Sequence, residues 1–169
     1  MNVKVKWIDG MMMVGESGSG HAVVMDGPPD VGGNNLGVRP MEMLLIGMAG
    51  CTTVDVVSTL KKMRQNIDDC IAEVSAERAE EHPKVFTNIH IHFAVKGTNL
   101  NPEKIEKAIS LSADKYCSAS IMMAKTANVT HDFEIETETE KSLAPSPALQ
   151  VALQLHSIHL TLSGLFWFF

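Results

Sequence analysis

The chain begins with an alternation of apolar and polar positions. Within residues 3–7, two valines and a tryptophan alternate with two lysines, which predicts a strand with one face in water. A turn rich in glycine and serine over 15–20 and the apolar segment 21–27 predict the return of a hairpin. Residues 27–37 are rich in glycine, proline and asparagine, so we expect a loop there.

A long apolar segment runs from Met41 to about Met63 without an internal proline. Pro40 fits the first position of a helix, where its missing N–H costs nothing, and Glu42 favours the positive end of the helix dipole. Because the first four turns are apolar on every side, we expect this helix in the centre of the fold. Gly47 and the small residues after it allow another element to approach closely.

The second half of the chain returns to strand periodicity. Residues 70–76 and 85–95 alternate apolar and polar positions, and His90 and His92 share the polar face of the second segment. The further elements expected are a helix over 101–116, which opens with an asparagine cap and a proline, a helical segment over 118–127 and a strand over 128–137. No internal repeat is visible.

Composition limits the class of protein. The chain has 169 residues, of which 45% are hydrophobic and 20% charged, as expected for one globular domain. A net charge of -6 and the absence of a basic tract argue against nucleic acid as a partner. The N-terminus has no apolar secretory segment, and three widely spaced cysteines do not suggest a disulfide scaffold, so we expect a cytoplasmic protein.

The last residues differ from the rest. Residues 145–169 carry no charged side chain, and the nineteen residues from Val151 are long enough to cross a membrane. Glutamine, histidine, serine and threonine side chains within them make a poor hydrocarbon span. We therefore expect a domain over 1–138 followed by a C-terminal apolar extension of unknown role over 139–169, packed or disordered, and consider membrane association the less favoured interpretation.

The candidate chemistry depends on the cysteines. His90 and His92 lack a third ligand at a recognisable spacing, so we predict neither a metal site nor a cofactor and read them as solvent-facing. Cys70, in a strand pattern, is predicted to be a small buried hydrophobe. Cys51 and Cys117 each lie in a helical context beside small residues, 66 positions apart, so that only the fold can bring them together. They are either structural or a redox pair, and a helix start at Cys117 would make its thiol more acidic.

The strings "RPMEMLLIGMAGCTTVDVVSTLKK" and "DKYCSASIMMAKTANVTHDFEI" resemble the OsmC/Ohr family of thiol peroxidases, and within it the YhfA-like branch. The resemblance covers about residues 1–138. It rests on the Pro-x-Glu opening of a long helix, a cysteine inside that helix and a second cysteine in "YCS". It implies an α+β fold in which an antiparallel sheet surrounds a long buried central helix, and in which two chains interlace as a homodimer.

The resemblance also implies an activity, the reduction of organic hydroperoxides in oxidative stress defence. By that resemblance Cys51 is the peroxidatic thiolate, which becomes a sulfenic acid, and Cys117 is the resolving thiol. Their disulfide is then reduced by an external dithiol. Leucines and methionines around Cys51 can supply an apolar pocket for an alkyl peroxide.

The chain departs from the family pattern at its supporting residues. Peroxidases of the family carry a glutamate directly after the helix-opening proline, where this chain has Met41, and an arginine from an earlier loop. Glu42 and Arg39 are therefore candidates for supporting roles only. Asp55, one turn beyond Cys51, opposes thiolate formation unless a cation pairs with it. One alternative is a non-catalytic relative that binds an apolar ligand or partner in the same pocket. Another, a thiol nucleophile in hydrolysis or transfer, lacks an assignable histidine base.

Overall fold

The computed structural model describes residues 1–136 of the chain. The strands and helices, in chain order, are β1 (Val3–Asp9), β2 (Met12–Ser17), β3 (Ala22–Met25), α1 (Pro40–Lys62), β4 (Asn66–Arg78), β5 (Phe86–Thr98), α2 (Pro102–Leu111), α3 (Ser118–Met123) and β6 (Asn128–Glu136). The α+β class predicted from the sequence is confirmed. The predicted extension over 139–169 lies outside the described residues.

The first three strands form an antiparallel sheet in the order β1-β2-β3. The hairpin predicted from the sequence is present, but its turn lies over 18–21, between β2 and β3, because residues 15–17 continue β2 instead of belonging to the turn predicted over 15–20. The prediction of a single strand before this turn was wrong, because the chain already reverses at Gly10, whose φ of 52° is readily accessible to glycine. Trp7 Nε1 donates to Gly10 O at 2.8 Å across this reversal. Every residue of β1 is solvent-exposed in the single chain.

The second sheet has the order β4-β5-β6. β4 and β5 pair antiparallel, with Cys70 opposite Val95. The side-chain contacts between β5 and β6 advance in the same sense along both strands, from His90 with Thr130 to His92 with Asp132. This order is that of a parallel pair, and the two helices between β5 and β6 supply the crossover that a parallel pair needs.

The core lies between the second sheet and the helices. The apolar side chains that fill it share complete or nearly complete burial and are Met48, Val56, Leu60, Phe86, Ile89, Ile91, Phe93, Val95, Ile105, Ala108, Ile109 and Ala127. The predicted helix over 101–116 is α-helical only to Leu111, and a single π turn over Ser112–Tyr116 follows it. This turn leads the chain directly to Cys117, at the start of α3.

The central helix α1 is buried along one stripe. Its buried residues, Met48, Thr52, Val56 and Leu60, recur every four positions, as on one face of a helix. Leu44, one turn before Met48 and in line with the stripe, is 47% exposed, and Val54, on the opposite face, is 68% exposed. A side chain added at Gly47 or Gly50 would meet nothing within 4 Å. Although α1 is long and apolar enough to cross a membrane, its buried stripe is that of a core helix.

Candidate thiol site

The fold brings Cys51 and Cys117 together. Cys51 lies in the middle of α1, and Cys117 is the residue that caps α3. The two sulfur atoms and a carboxylate oxygen of Asp55 all lie within 4.8 Å of one another. We call these three residues the thiol cluster. Among the described residues it is the one group of three histidine, cysteine or acidic side chains that converges so closely.

The helix determines how the cluster is exposed. Cys51 and Asp55 are four positions apart, so they occupy the same face of α1 one turn from each other. Both are half-buried, because this face borders the buried stripe rather than belonging to it. Cys117, by contrast, has no solvent exposure. A molecule arriving from solvent would therefore reach Cys51 before Cys117.

Cys117 is held in place by hydrogen bonds on two sides. The Thr52 hydroxyl donates to Met48 O at 2.9 Å, which uses its single hydrogen. The contact of 3.2 Å between Thr52 Oγ1 and Cys117 Sγ therefore has the thiol as donor. The Ser120 N–H donates to Cys117 Sγ at 3.4 Å, and the Cys117 N–H donates to Ser112 O at 2.9 Å. These contacts fix the buried sulfur beside α1.

The surroundings of Cys51 disfavour its thiolate. A hydrogen bond with Cys117, together with burial and the negative charge of Asp55, raises the pKa of Cys51 above its ordinary value, although the Ala119 N–H acts in the opposite direction. Asp55 Oδ2 accepts a hydrogen bond from the Ser112 hydroxyl at 3.4 Å. Within residues 1–136, no lysine or arginine forms an ion pair with Asp55.

The two candidate supporting residues lie at the beginning of α1. The Arg39 guanidinium donates to Asp26 O at 3.0 Å, to Gly37 O at 3.1 Å and to Asn35 Oδ1 at 2.6 Å. Glu42 Oε2 accepts from the Arg39 N–H at 2.8 Å. These groups stabilise the preceding loop and the helix start, about three turns before Cys51. The structure does not bring either side chain to the thiol cluster.

Asp26 is a structural residue that the sequence analysis missed. Its side chain is fully buried and accepts hydrogen bonds from the backbone N–H groups of Gly27, Asn34 and Leu36. The bond from Leu36, with those from Asn34 and Gly27, holds the pKa of Asp26 below its ordinary value. The sequence signal that could have revealed this role is an aspartate followed by glycine at the start of a loop rich in asparagine and glycine. Asp26 therefore organises the loop to which the Arg39 side chain is hydrogen-bonded.

The remaining thiol and the two histidines have other environments. Burial raises the pKa of the Cys70 thiol to about 11. His92 contacts Asp132 through Nδ1, and His90 Nε2 lies 3.3 Å from the same carboxylate. The hydrogen bond to Asp132 raises the pKa of His92. Both histidines lie on the polar face of β5, where the sequence placed them.

A groove adjoins the thiol cluster. It has a volume of about 570 Å³, and Asp55 forms part of its wall. Leu111 and Tyr116 supply apolar surface, and Lys62, two helical turns along α1 from Asp55, also lines the groove. An apolar molecule with one polar end would find both kinds of surface beside the cluster.

These features define a class of two-cysteine proteins. Each has an α+β domain whose central helix carries a half-buried thiol, with a second thiol buried behind it. Comparison with known families agrees with this class. The family model described as OsmC-like protein matches residues 32–132. Protein YhfA of Escherichia coli K12 is 43% identical over 135 residues, which cover 80% of this chain and 98% of that protein. The chain belongs to the OsmC-like family, as its sequence had indicated.

Solved structures show the same fold. A hypothetical protein from Aquifex aeolicus VF5 is 27% identical with a TM-score of 0.67, and the match covers 80% of this chain and 97% of that one. An organic hydroperoxide resistance protein OsmC from Legionella pneumophila is 16% identical with a TM-score of 0.60, over 79% of this chain and 97% of that one. At such identity the likeness to the Legionella protein concerns the fold.

Proposed function

We propose that this protein is a thiol peroxidase that reduces organic hydroperoxides through Cys51 and Cys117, in defence against oxidative stress. The observation that carries the proposal is the position of the two sulfur atoms, within 4.8 Å of each other across 66 positions of sequence. A disulfide needs a sulfur–sulfur distance of about 2.05 Å, so the sulfurs have to approach by up to about 3 Å. Cys51 is half-buried at the helix surface, so side-chain rotation and a local shift of α3 can supply this approach.

The proposed reaction has two steps in the protein. The Cys51 thiolate attacks the terminal peroxide oxygen, the O–O bond breaks, and the alkoxide takes a proton to leave as an alcohol. Cys51 is thereby oxidised to a sulfenic acid. Cys117 then attacks that sulfur, water leaves, and a disulfide forms. An external dithiol reduces the disulfide and returns both thiols. The step needs no cofactor, and the groove beside Asp55 would receive the alkyl group of the peroxide.

We propose in addition that the active form is a cytoplasmic homodimer. The face of α1 opposite its buried stripe exposes Val54, and β1 exposes Val3, Val5 and Trp7. The three side chains of β1 occupy alternate positions and so form one exposed apolar face, and a surface of this kind marks an interaction site. The open space above Gly47 and Gly50 would let a second copy of the chain approach the backbone of α1 closely.

A second candidate function is the binding of an apolar ligand without catalysis. It is favoured by Asp55, which places a negative charge beside Cys51. It is also favoured by Arg39 and Glu42, because their hydrogen bonds lie at the start of α1 and not at Cys51. Among the described residues, none of the charged groups that act on the pKa of Cys51 is the positive charge that a peroxidatic thiolate requires. The two candidates differ in whether Cys51 reacts with a peroxide.

Oxidation by one equivalent of cumene hydroperoxide tests the proposal. We expect loss of two thiols per chain and a Cys51–Cys117 disulfide in the peptide map. Cys51→Ser should abolish peroxide consumption, and Cys117→Ser should stop the reaction at a Cys51 sulfenic acid or a more oxidised product. Cys70→Ser is the matched control and should leave both steps unchanged. Unreacted thiols in the wild-type chain would favour the binding function instead.

A further inference from the structure

The carboxylate of Asp55 has no role in the proposed peroxidase chemistry, yet it points at both thiols. One of its oxygens lies within 4.8 Å of Cys51 Sγ and of Cys117 Sγ. In the described part of the chain no lysine or arginine pairs with it. Two thiols and a carboxylate that converge without a cation form a ligand set for a metal ion rather than a site that stabilises a free thiolate.

The geometry of the thiol cluster fits this use. In a tetrahedral site the ligand atoms lie roughly 3.5 Å apart, given Zn–S bonds of about 2.3 Å and Zn–O bonds of about 2.1 Å. The donors of the cluster need to close by about 1 Å to reach this spacing. Cys51 and Asp55 offer adjacent ligands one helical turn apart, and the half-buried side of the cluster leaves a fourth position open to water.

The hydrogen bonds around the thiol cluster also fit a metal site. The Ser112 hydroxyl donates to Asp55 Oδ2 at 3.4 Å, and the Ser120 N–H donates to Cys117 Sγ at 3.4 Å. Hydrogen bonds of this kind orient metal ligands and stabilise their negative charge. Sequence reasoning found no metal-ligand spacing, because the third ligand comes from a residue 62 positions beyond Asp55.

We propose that Cys51, Asp55 and Cys117 bind a thiophilic divalent metal ion of the Zn²⁺ class. Binding replaces the protons of the two thiols, so that Zn²⁺ and one water give a complex of two thiolates and one carboxylate with release of two protons. The metal engages the electron pairs with which Cys51 would attack a peroxide. Metal binding and thiol oxidation therefore exclude each other at this site.

The test uses the reduced, metal-free full-length chain and Co²⁺ as a spectroscopic probe, with Zn²⁺ as competitor. We expect one Co²⁺ per chain, a thiolate-to-cobalt charge-transfer band, and displacement of the Co²⁺ by Zn²⁺. The band should be lost in Cys51→Ser and in Cys117→Ser. Asp55→Asn should weaken binding roughly tenfold or more, since even the loss of an outer-shell partner of a metal ligand costs that much.

Two matched variants control the test. Cys70→Ser removes a thiol whose neighbour Asp69 is also acidic, and Asp68→Asn removes an exposed carboxylate, so neither should change the titration. Circular dichroism confirms that each variant is folded. Absence of the charge-transfer band in the wild-type chain, its survival in Cys51→Ser, or equal affinity in Asp55→Asn would overturn the proposal. These readouts involve no peroxide, so they stand apart from the outcome for the peroxidase function.

Discussion

Thr52 and Cys117, separated by 65 positions in sequence, are in contact in the buried interior, with Oγ1 and Sγ 3.2 Å apart. Thr52 is adjacent to Cys51 on α1, so this contact connects the turn of helix that carries one thiol to the residue that carries the other. The Thr52 hydroxyl can accept from the thiol because its own hydrogen is donated to Met48 O. The position of the second sulfur beside the central helix thus depends on one buried hydroxyl group.

Removal of that hydroxyl should therefore loosen the second thiol. In Thr52→Val the Cys117 thiol loses its acceptor in a fully buried position, which we expect to lower the free energy of unfolding by about 1–3 kcal/mol. Urea unfolding monitored by circular dichroism measures this change. Thr53→Val changes the neighbouring, half-buried position. It should lower the free energy of unfolding by less than about 1 kcal/mol, as is usual for substitutions at partly exposed sites. Equal stability of the two variants would show that the contact contributes nothing.

The acidity of Cys51 should depend on Asp55. The pKa of Cys51 is raised by its hydrogen bond with Cys117, by burial and by the charge of Asp55, so its alkylation should stay slow until the pH exceeds the ordinary range for a thiol. Asp55→Asn should shift the rate profile to lower pH, because one negative charge is removed. The measurement is the pH dependence of iodoacetamide labelling at Cys51 in the presence of a metal chelator, read by peptide mass spectrometry.

Two outcomes of that measurement separate the candidate functions. A profile centred near neutral pH in the wild-type chain would mean that the thiolate is stabilised, contrary to the described surroundings, and would support the peroxidase. A profile above the ordinary value of about 8.5, which the surroundings of Cys51 in the single chain predict, would favour the binding function over the proposed peroxidase. A profile that Asp55→Asn leaves unchanged would contradict the assigned influence of Asp55.

The exposed face of α1 should be covered by a second chain. An interface on the order of 2,000 Å² or more is typical of obligate dimers, and a charge within it destabilises them. We expect the wild-type protein to scatter light as a dimer at micromolar concentration and Val54→Glu to dissociate or unfold it. Leu36→Glu, in the exposed loop before α1, should remain dimeric. A stable, folded wild-type monomer would exclude the interlaced dimer.

Stability should become dependent on pH through Asp26. Because backbone hydrogen bonds hold its pKa below the ordinary value, the ionised carboxylate stabilises the fold above the unfolded-state pKa, and this stabilisation is lost as the pH falls through the folded-state pKa. Asp26→Asn should therefore be less stable than the wild type near neutral pH, and the difference should shrink in acid. Thermal unfolding at several pH values measures it. Asp30→Asn, in the same loop but exposed, should follow the wild-type curve.

The sequence by itself determined the elements that arise from local periodicity. The alternation in 70–76 and 85–95 placed β4 and β5, and Pro40 marked the start of α1 where the structure has it. These predictions succeeded because a strand or helix that packs on one side imposes its period on neighbouring residues. The two cysteine-bearing segments were also recognisable, since they combine local motifs that distinguish the OsmC-like family.

Tertiary structure determined which contacts those elements make with one another. The early reversal at Gly10 was missed because Met11–Met13 continues the apolar pattern across the turn and leaves only one glycine as a signal. The partners of Arg39 could not be read from its position beside Pro40, because they depend on how the preceding loop folds around Asp26. The convergence of Asp55 with both thiols likewise depends on where the chain places Cys117 after the π turn over Ser112–Tyr116. Contacts of this kind join residues far apart in sequence, and only the packing of α1 against α3 and the second sheet brings them within a few ångströms.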